Sequence, residues 1–171
     1  EVYLNHDRTV LKVPGWTDDI RSNTYVTKTA DINSDGYLDL FQGNVALVGD
    51  ESSSGDPDQD VLFFGTADGL SETPGWYSNA TSNTLDADWL DFDHDGDLDL
   101  YVANTNQDMI FTNEDGNLTT DPTWTSPYIS YSSDVEVADF NGDGYHDIVI
   151  ANTDSSSGSH IYLCCNPAGA P

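Results

Sequence analysis

Three stretches of the chain set oxygen-bearing side chains at alternate positions around a glycine: "DINSDGYLD" from Asp31, "DFDHDGDLD" from Asp91 and "DFNGDGYHD" from Asp139. Each opens on Asp, carries Asp-Gly at its fifth and sixth positions and closes on Asp at its ninth. Carboxylates so close together repel. At about 5 Å and an effective dielectric near 20, one pair costs roughly 3 kcal/mol. A few such pairs would cancel the ~5–15 kcal/mol that keeps an ordinary domain folded. A solvated acidic tail would tolerate the crowding, but the flanks do not read as a tail. Leu98, Leu100, Tyr101 and Val102 form an apolar, strand-like run, and Gly96 sits where a tight loop needs positive φ. The remaining solution is a cation among the side chains.

Calcium fits the donor set, since it takes about six to eight oxygens from carboxylates and backbone carbonyls. The first loop offers the side chains of Asp31, Asn33, Asp35 and Asp39 with the Tyr37 carbonyl. The second offers Asp91, Asp93, Asp95 and Asp99 with the Asp97 carbonyl, and the third Asp139, Asn141, Asp143 and Asp147 with the Tyr145 carbonyl. About three ions are expected, one per loop, each pinning a strand connection so that binding and folding are coupled. An EF-hand is excluded because its twelfth position needs Glu, where this chain has Gln42, Val102 and Ile150. Magnesium prefers fewer carboxylates and more water, and zinc lacks suitable Cys and His ligands. The competing reading is three Asp-rich Asx-turns without metal.

Composition narrows the partners. The 171 residues carry a formal charge of -27, with 4 Lys plus Arg against 31 Asp plus Glu. That balance excludes nucleic acid and anionic membrane as natural partners. Hydrophobic content of 37% and aromatic content of 11% are too high for a disordered acidic chain. No apolar run is long enough to span a bilayer, so no membrane insertion is expected. The sequence lacks an initiator Met and a signal peptide, which suggests a processed product or a segment of something longer. Cys164 and Cys165 are adjacent and cannot staple distant parts of the chain; a strained vicinal bridge, bonds to another chain or free thiols all remain open. Asn79 and Asn117 open short glycosylation-acceptor patterns.

The elements that must hold the loops are themselves repeated. Trp16, Trp76 and Trp124 each lie 15 residues before the first Asp of a loop, with Pro two positions earlier. The loops follow one another at 60 and then 48 residues. The difference is an insertion, Val45–Asp60, rich in Ser, Gly, Pro and Asp and therefore a surface loop. Each unit holds four short strand-like runs, which in the first are Tyr25–Thr29, Tyr37–Phe41, Val61–Phe64 and one near Leu70–Thr73. Four-strand units of this length are the blades of a β-propeller. The fold expected is all-β: three four-stranded repeats, 17–74, 75–122 and 123–171, with the last blade lacking its final strand. Residues 1–16 align with the outer strands of a partial blade. Three blades are too few to close a ring, so the chain reads as an incomplete ring or part of a larger assembly. The recurrent tryptophans read as packing anchors between blades.

The motif Asp-x-Asp/Asn-x-Asp-Gly-x-x-Asp-Leu/Ile before an apolar strand resembles the FG-GAP and VCBS repeats of integrin α-subunit propellers, propeller lectins and large bacterial surface proteins. "TPGW", "GDLDLYVAN" and "ADFNGDGYHDIVIAN" are most similar to the bacterial VCBS type. The resemblance implies an extracellular or cell-surface, non-catalytic calcium-binding module for adhesion or for a protein or glycan ligand. Its contact surfaces would be Val45–Asp60 and the loop Thr153–Ser159. The alternatives are a self-assembling subunit of a surface layer or filament, and a propeller lectin. Further copies or repeats of the same protein are the partners expected at the unfinished edges. No nucleophile elbow, Cys–His pair or phosphate-cradling loop argues for an enzyme.

Overall fold

The computed structural model describes residues 5–6, 9–10, 15–17, 22–45, 59–153 and 158–163. Short runs of β-branched and aromatic residues broken by Gly, Asn and Asp favour strands, and no helix occurs among the described residues. A ribbon of β1 (Asn5–His6) and β2 (Thr9–Val10) comes first. The first blade is an antiparallel meander of β3 (Thr24–Ala30), β4 (Asp39–Asn44), β5 (Gln59–Phe63) and β8 (Trp76–Thr81). A ribbon of β6 (Gly65–Thr66) and β7 (Gly69–Leu70) is set in before its last strand. The second blade repeats the plan with β9 (Thr84–Leu90), β10 (Asp99–Asn104), β11 (Met109–Phe111) and β14 (Trp124–Thr125). Its ribbon is β12 (Asn113–Glu114) and β13 (Asn117–Leu118). The third blade has three strands among the described residues, β15 (Ser132–Ala138), β16 (Asp147–Asn152) and β17 (His160–Tyr162).

The all-β, propeller-like architecture expected from the repeat is thus present, and none of the sheets closes into a barrel. The fourth strand differs from the expectation. Leu70–Thr73 lies outside the sheet, because Gly69, at φ 118°, turns the chain back and pairs it with Gly65–Thr66. The next segment, Trp76–Thr81, takes the open edge of β5, with Trp76 opposite Leu62. Trp124 stands likewise opposite Ile110. Each tryptophan strand therefore ends a blade. Residues 46–58 of the insertion, 154–157 of the Thr153–Ser159 loop, and Cys164 with Cys165 lie outside the described residues.

The tryptophans join consecutive blades, as expected. Trp16, Trp76 and Trp124 meet Phe63, Phe111 and Tyr162 edge-on at 4.9, 5.3 and 5.6 Å. The ring met is each time on the third strand of the following blade. Such edge-to-face pairs add about 0.5–1.5 kcal/mol to the burial itself. Trp16 Nε1 also donates to Ser71 O at 3.0 Å, and Trp76 Nε1 to Thr119 O at 3.1 Å. The core is shared in the same way. One buried cluster joins Phe41, Leu62 and Trp76 to Leu100, Val102 and Phe111, and a second joins Leu90, Tyr101 and Ile110 to Val135, Ile148 and Ile150.

Buried polar groups stitch the first strands together. A β-bulge sits at the same place in all three blades, where the register shifts past Tyr25, Leu85 and Ser133. A bulge re-aims the neighbouring side chain. Here it accompanies Thr84 Oγ1 reaching back to Asp60 Oδ2 in the preceding blade at 2.8 Å, and Ser132 Oγ reaching Asp108 Oδ2 at 2.9 Å. The other oxygens, Asp60 Oδ1 and Asp108 Oδ1, accept from the backbone N–H of Asn44 and Asn104. Asp86 links three blades, meeting Lys28 Nζ at 3.2 Å and accepting from Val135 N at 3.0 Å.

Burial pushes the Asp60 carboxyl up from its ordinary 3.8 to about 7, against the pull of the Asn44 N–H and the Thr84 hydroxyl. The folded state therefore holds a proton that the unfolded chain releases, and stability falls as pH rises through this window. With chelator present, the melting temperature is expected to be higher at pH 5 than at pH 8. Asp60→Asn should shrink the difference. A wild-type melt that climbs from pH 5 to pH 8 would contradict this assignment.

Candidate metal centre

Each Asp loop joins the first strand of a blade to the second, and its shape comes from two left-handed residues. Position six is Gly36, Gly96 or Gly144, at φ 91°, 99° and 91°. Position four is also left-handed: Ser34 at 57°, His94 at 65° and Gly142 at 79°. Two such turns within three residues coil the backbone, so alternate side chains converge. Position five then fastens the coil. Its Oδ1 accepts from the backbone N–H of position seven, Asp35 from Tyr37 at 2.9 Å, Asp95 from Asp97 at 2.9 Å and Asp143 from Tyr145 at 3.0 Å.

The ninth-position carboxylates are buried staples. Asp39, Asp99 and Asp147 are fully buried. Asp39 accepts from Ile32 N at 3.0 Å and Gly65 N at 2.7 Å, and Asp99 from Phe92 N and Asn113 N, both at 2.7 Å. Each thus ties its own loop to the ribbon that follows the third strand. Asp147 accepts from Phe140 N and Asn141 N at 3.0 and 3.3 Å. Backbone donors of this kind are the strong, charge-assisted sort.

Beyond that shared frame the loops differ. In the first, Asp31 turns both oxygens onto the N–H groups of Asp35 and Gly36, and Asn33 bridges to Asp35. In the third, Asp139 accepts from Gly142, Asp143 and Gly144, and Asn141 bonds Asp143. Both are Asx-turn arrangements. The second loop is open. Asp91, Asp93 and Asp99 each bring an oxygen within 4.8 Å of the others, a group that could hold a metal ion. Asp91 Oδ1 is buried with no hydrogen-bond partner among the described residues. Burial, with the nearby carboxylates of Asp93 and Asp95 adding to it, holds Asp99 up at about 6 against the pull of its two N–H donors. Burial and the Asp95 and Asp91 charges also raise Asp93. A buried orphan oxygen beside two destabilised carboxylates is what a divalent cation would relieve. Asp97 turns its side chain onto Asp115 N at 2.8 Å, away from that group.

His94 packs its ring 4.2 Å from that of Tyr145 and so bridges the second and third loops. His146 is exposed and precedes β16. His160 bonds Asn152 Nδ2 at 2.8 Å and stacks on Tyr128. The left-handed fourth position went unread. Gly142 was its signal, masked because Ser34 and His94 replace glycine in the other two loops.

Residues 91–150 match the family of the FG-GAP-like repeat. The chain thus carries FG-GAP-like repeat sequence, as its motifs indicated, over the second and third loops; the narrower VCBS type is not part of that match. No curated protein matches the chain. No helix among the described residues is long and apolar enough to cross a membrane.

The division of labour in the second loop is testable by mutation. Asp99→Ala leaves the buried Asn113 N–H and the part-buried Phe92 N–H without their acceptor and should cost about 2–4 kcal/mol in urea melts even with chelator present. Asp93→Asn should stay within roughly 0.5 kcal/mol of wild type in chelator, since Asn occupies that place in the sibling loops. Equal losses for the two variants would contradict the division.

Proposed function

We propose that the chain is a calcium-rigidified, non-catalytic binding or adhesion module acting outside the cell. The observation that carries the reading is the second loop, where Asp91, Asp93 and Asp99 converge around a buried, unpartnered carboxylate oxygen. The all-oxygen donor set suits a hard cation, and calcium tolerates its irregular geometry better than magnesium does. The FG-GAP-like repeat supports the module reading, because such repeats often serve in ligand binding or adhesion. The residual acidity suits a protein that meets millimolar calcium and salt. The first and third loops would follow the second in affinity, because Asn33 and Asn141 stand where it has Asp93 and because their opening carboxylates are already engaged with backbone N–H groups.

Calorimetric titration with calcium should give one tight event followed by weaker ones, and chelator should lower the melting temperature sharply. Asp93→Asn should remove the tight event. A titration without heat, together with a melt unaffected by chelator, would overturn the proposal.

A further inference from the structure

The third position sets the three Asp loops apart chemically. The second loop carries Asp93 there, whereas the first and third carry Asn33 and Asn141. Asn141 alone among the asparagines of the sequence precedes a glycine, Gly142. An asparagine so placed can react with its own backbone. The nitrogen of the next residue reaches the side-chain carbonyl by closing a small ring, and glycine has no side chain to shield that nitrogen.

The third loop holds each group of that reaction in the sense the chemistry needs. The Gly142 N–H donates to Asp139 Oδ1 at 2.7 Å, so the proton that must leave already points at a carboxylate. Asn141 Oδ1, where negative charge develops, accepts from the Asp143 N–H at 2.8 Å. A backbone donor there is of the kind that stabilises an oxyanion. The same bond folds the carboxamide back toward the Asn141–Gly142 peptide, as in any Asx-turn. The leaving nitrogen, Asn141 Nδ2, donates to Asp143 Oδ2 at 3.0 Å.

The first loop lacks this combination. Ser34 follows Asn33 and sets a Cβ beside the attacking nitrogen. The ribbon β12–β13 also presses on the Asn33 side chain, since a Cβ added at Gly116 would lie 2.8 Å from Asn33 Cβ. In the second loop the acid is already present as Asp93.

We propose that Asn141 is a self-modification site, converted to an acid by the loop that holds it. The Gly142 nitrogen gives up its proton and bonds to Asn141 Cγ. The Cγ–Nδ2 bond then breaks, and the side-chain nitrogen leaves as ammonia with that proton. Water opens the resulting cyclic imide. Attack at Cγ leaves aspartate, attack at the main-chain carbonyl leaves isoaspartate, and neither step needs an oxidant or a reductant. The aspartate product gives the third loop the same side-chain donors as Asp91, Asp93, Asp95 and Asp99 give the second. That consequence for binding rests on the calcium reading; the conversion itself does not.

The test is to incubate the folded whole chain with chelator at mildly alkaline pH, measure ammonia release and map the product by peptide mass spectrometry. Conversion is expected at Asn141 ahead of every other asparagine, and at least as fast as in the same chain unfolded by urea. Gly142→Ser copies the Asn33–Ser34 pair, and Ser34 already adopts a left-handed φ of 57° at that position. This variant should keep its circular dichroism and lose most of the conversion, while Asn141→Gln should lose all of it. Asn141→Asp supplies the aspartate product directly and should turn one of the weaker calcium events into a tighter one. An Asn141 that stays intact while other asparagines convert would overturn the proposal, and so would faster conversion in urea than in the folded chain. Conversion at Asn141 with an unchanged titration of Asn141→Asp would uphold the modification and overturn its consequence for calcium.

Discussion

The constraint on which the structure depends is that its carboxylates must find donors. A chain with 4 Lys plus Arg against 31 Asp plus Glu cannot pair its charges with lysine and arginine; among the described residues Lys28 pairs with Asp86. Backbone N–H groups take their place. Asp39 and Asp99 each gather two, one from the loop and one from the distant ribbon, and so turn a desolvation penalty into a positional lock. Asp60 and Asp108 do the same between blades, with a hydroxyl from the next blade as the second donor. Where no donor arrives among the described residues, at Asp91 Oδ1, the loop is left with an unmet requirement that a cation would satisfy.

Two kinds of junction therefore hold the blades in a row. Apolar contacts run through the forward-facing tryptophans and the shared cores. Polar contacts run through the bulged first strands. Both sets cross the same boundary between neighbouring blades, at different points along it. The third loop is tied into the second by the His94–Tyr145 contact.

Much of this was legible in the sequence. The fixed spacing of Pro, Trp, Asp, Gly and Asn defined the repeat, because each of these residues has a position-specific backbone or packing role. The strand boundaries were harder. Leu70–Thr73 looked like a fourth strand because it is partly apolar, whereas ribbon closure by Gly69 is a matter of one dihedral angle. The ninth-position aspartates were read as ligands, but their backbone bonds depend on N–H groups as distant in sequence as Gly65 and Asn113, which no local pattern reveals. The Asp60 and Asp108 links were in principle visible as a Gln-Asp repeated at the third strands of the first two blades. They were hidden by the insertion that ends at Asp60.

The central claim is that the second loop is built around a cation and not merely folded into an Asx-turn. Diffraction from crystals grown in calcium tests it most directly. The account requires a density peak ringed by oxygens of Asp91, Asp93 and Asp99 at calcium–oxygen distances. A well-ordered loop with no peak, its Asp91 carboxylate turned onto backbone N–H groups as Asp31 and Asp139 are, would contradict it.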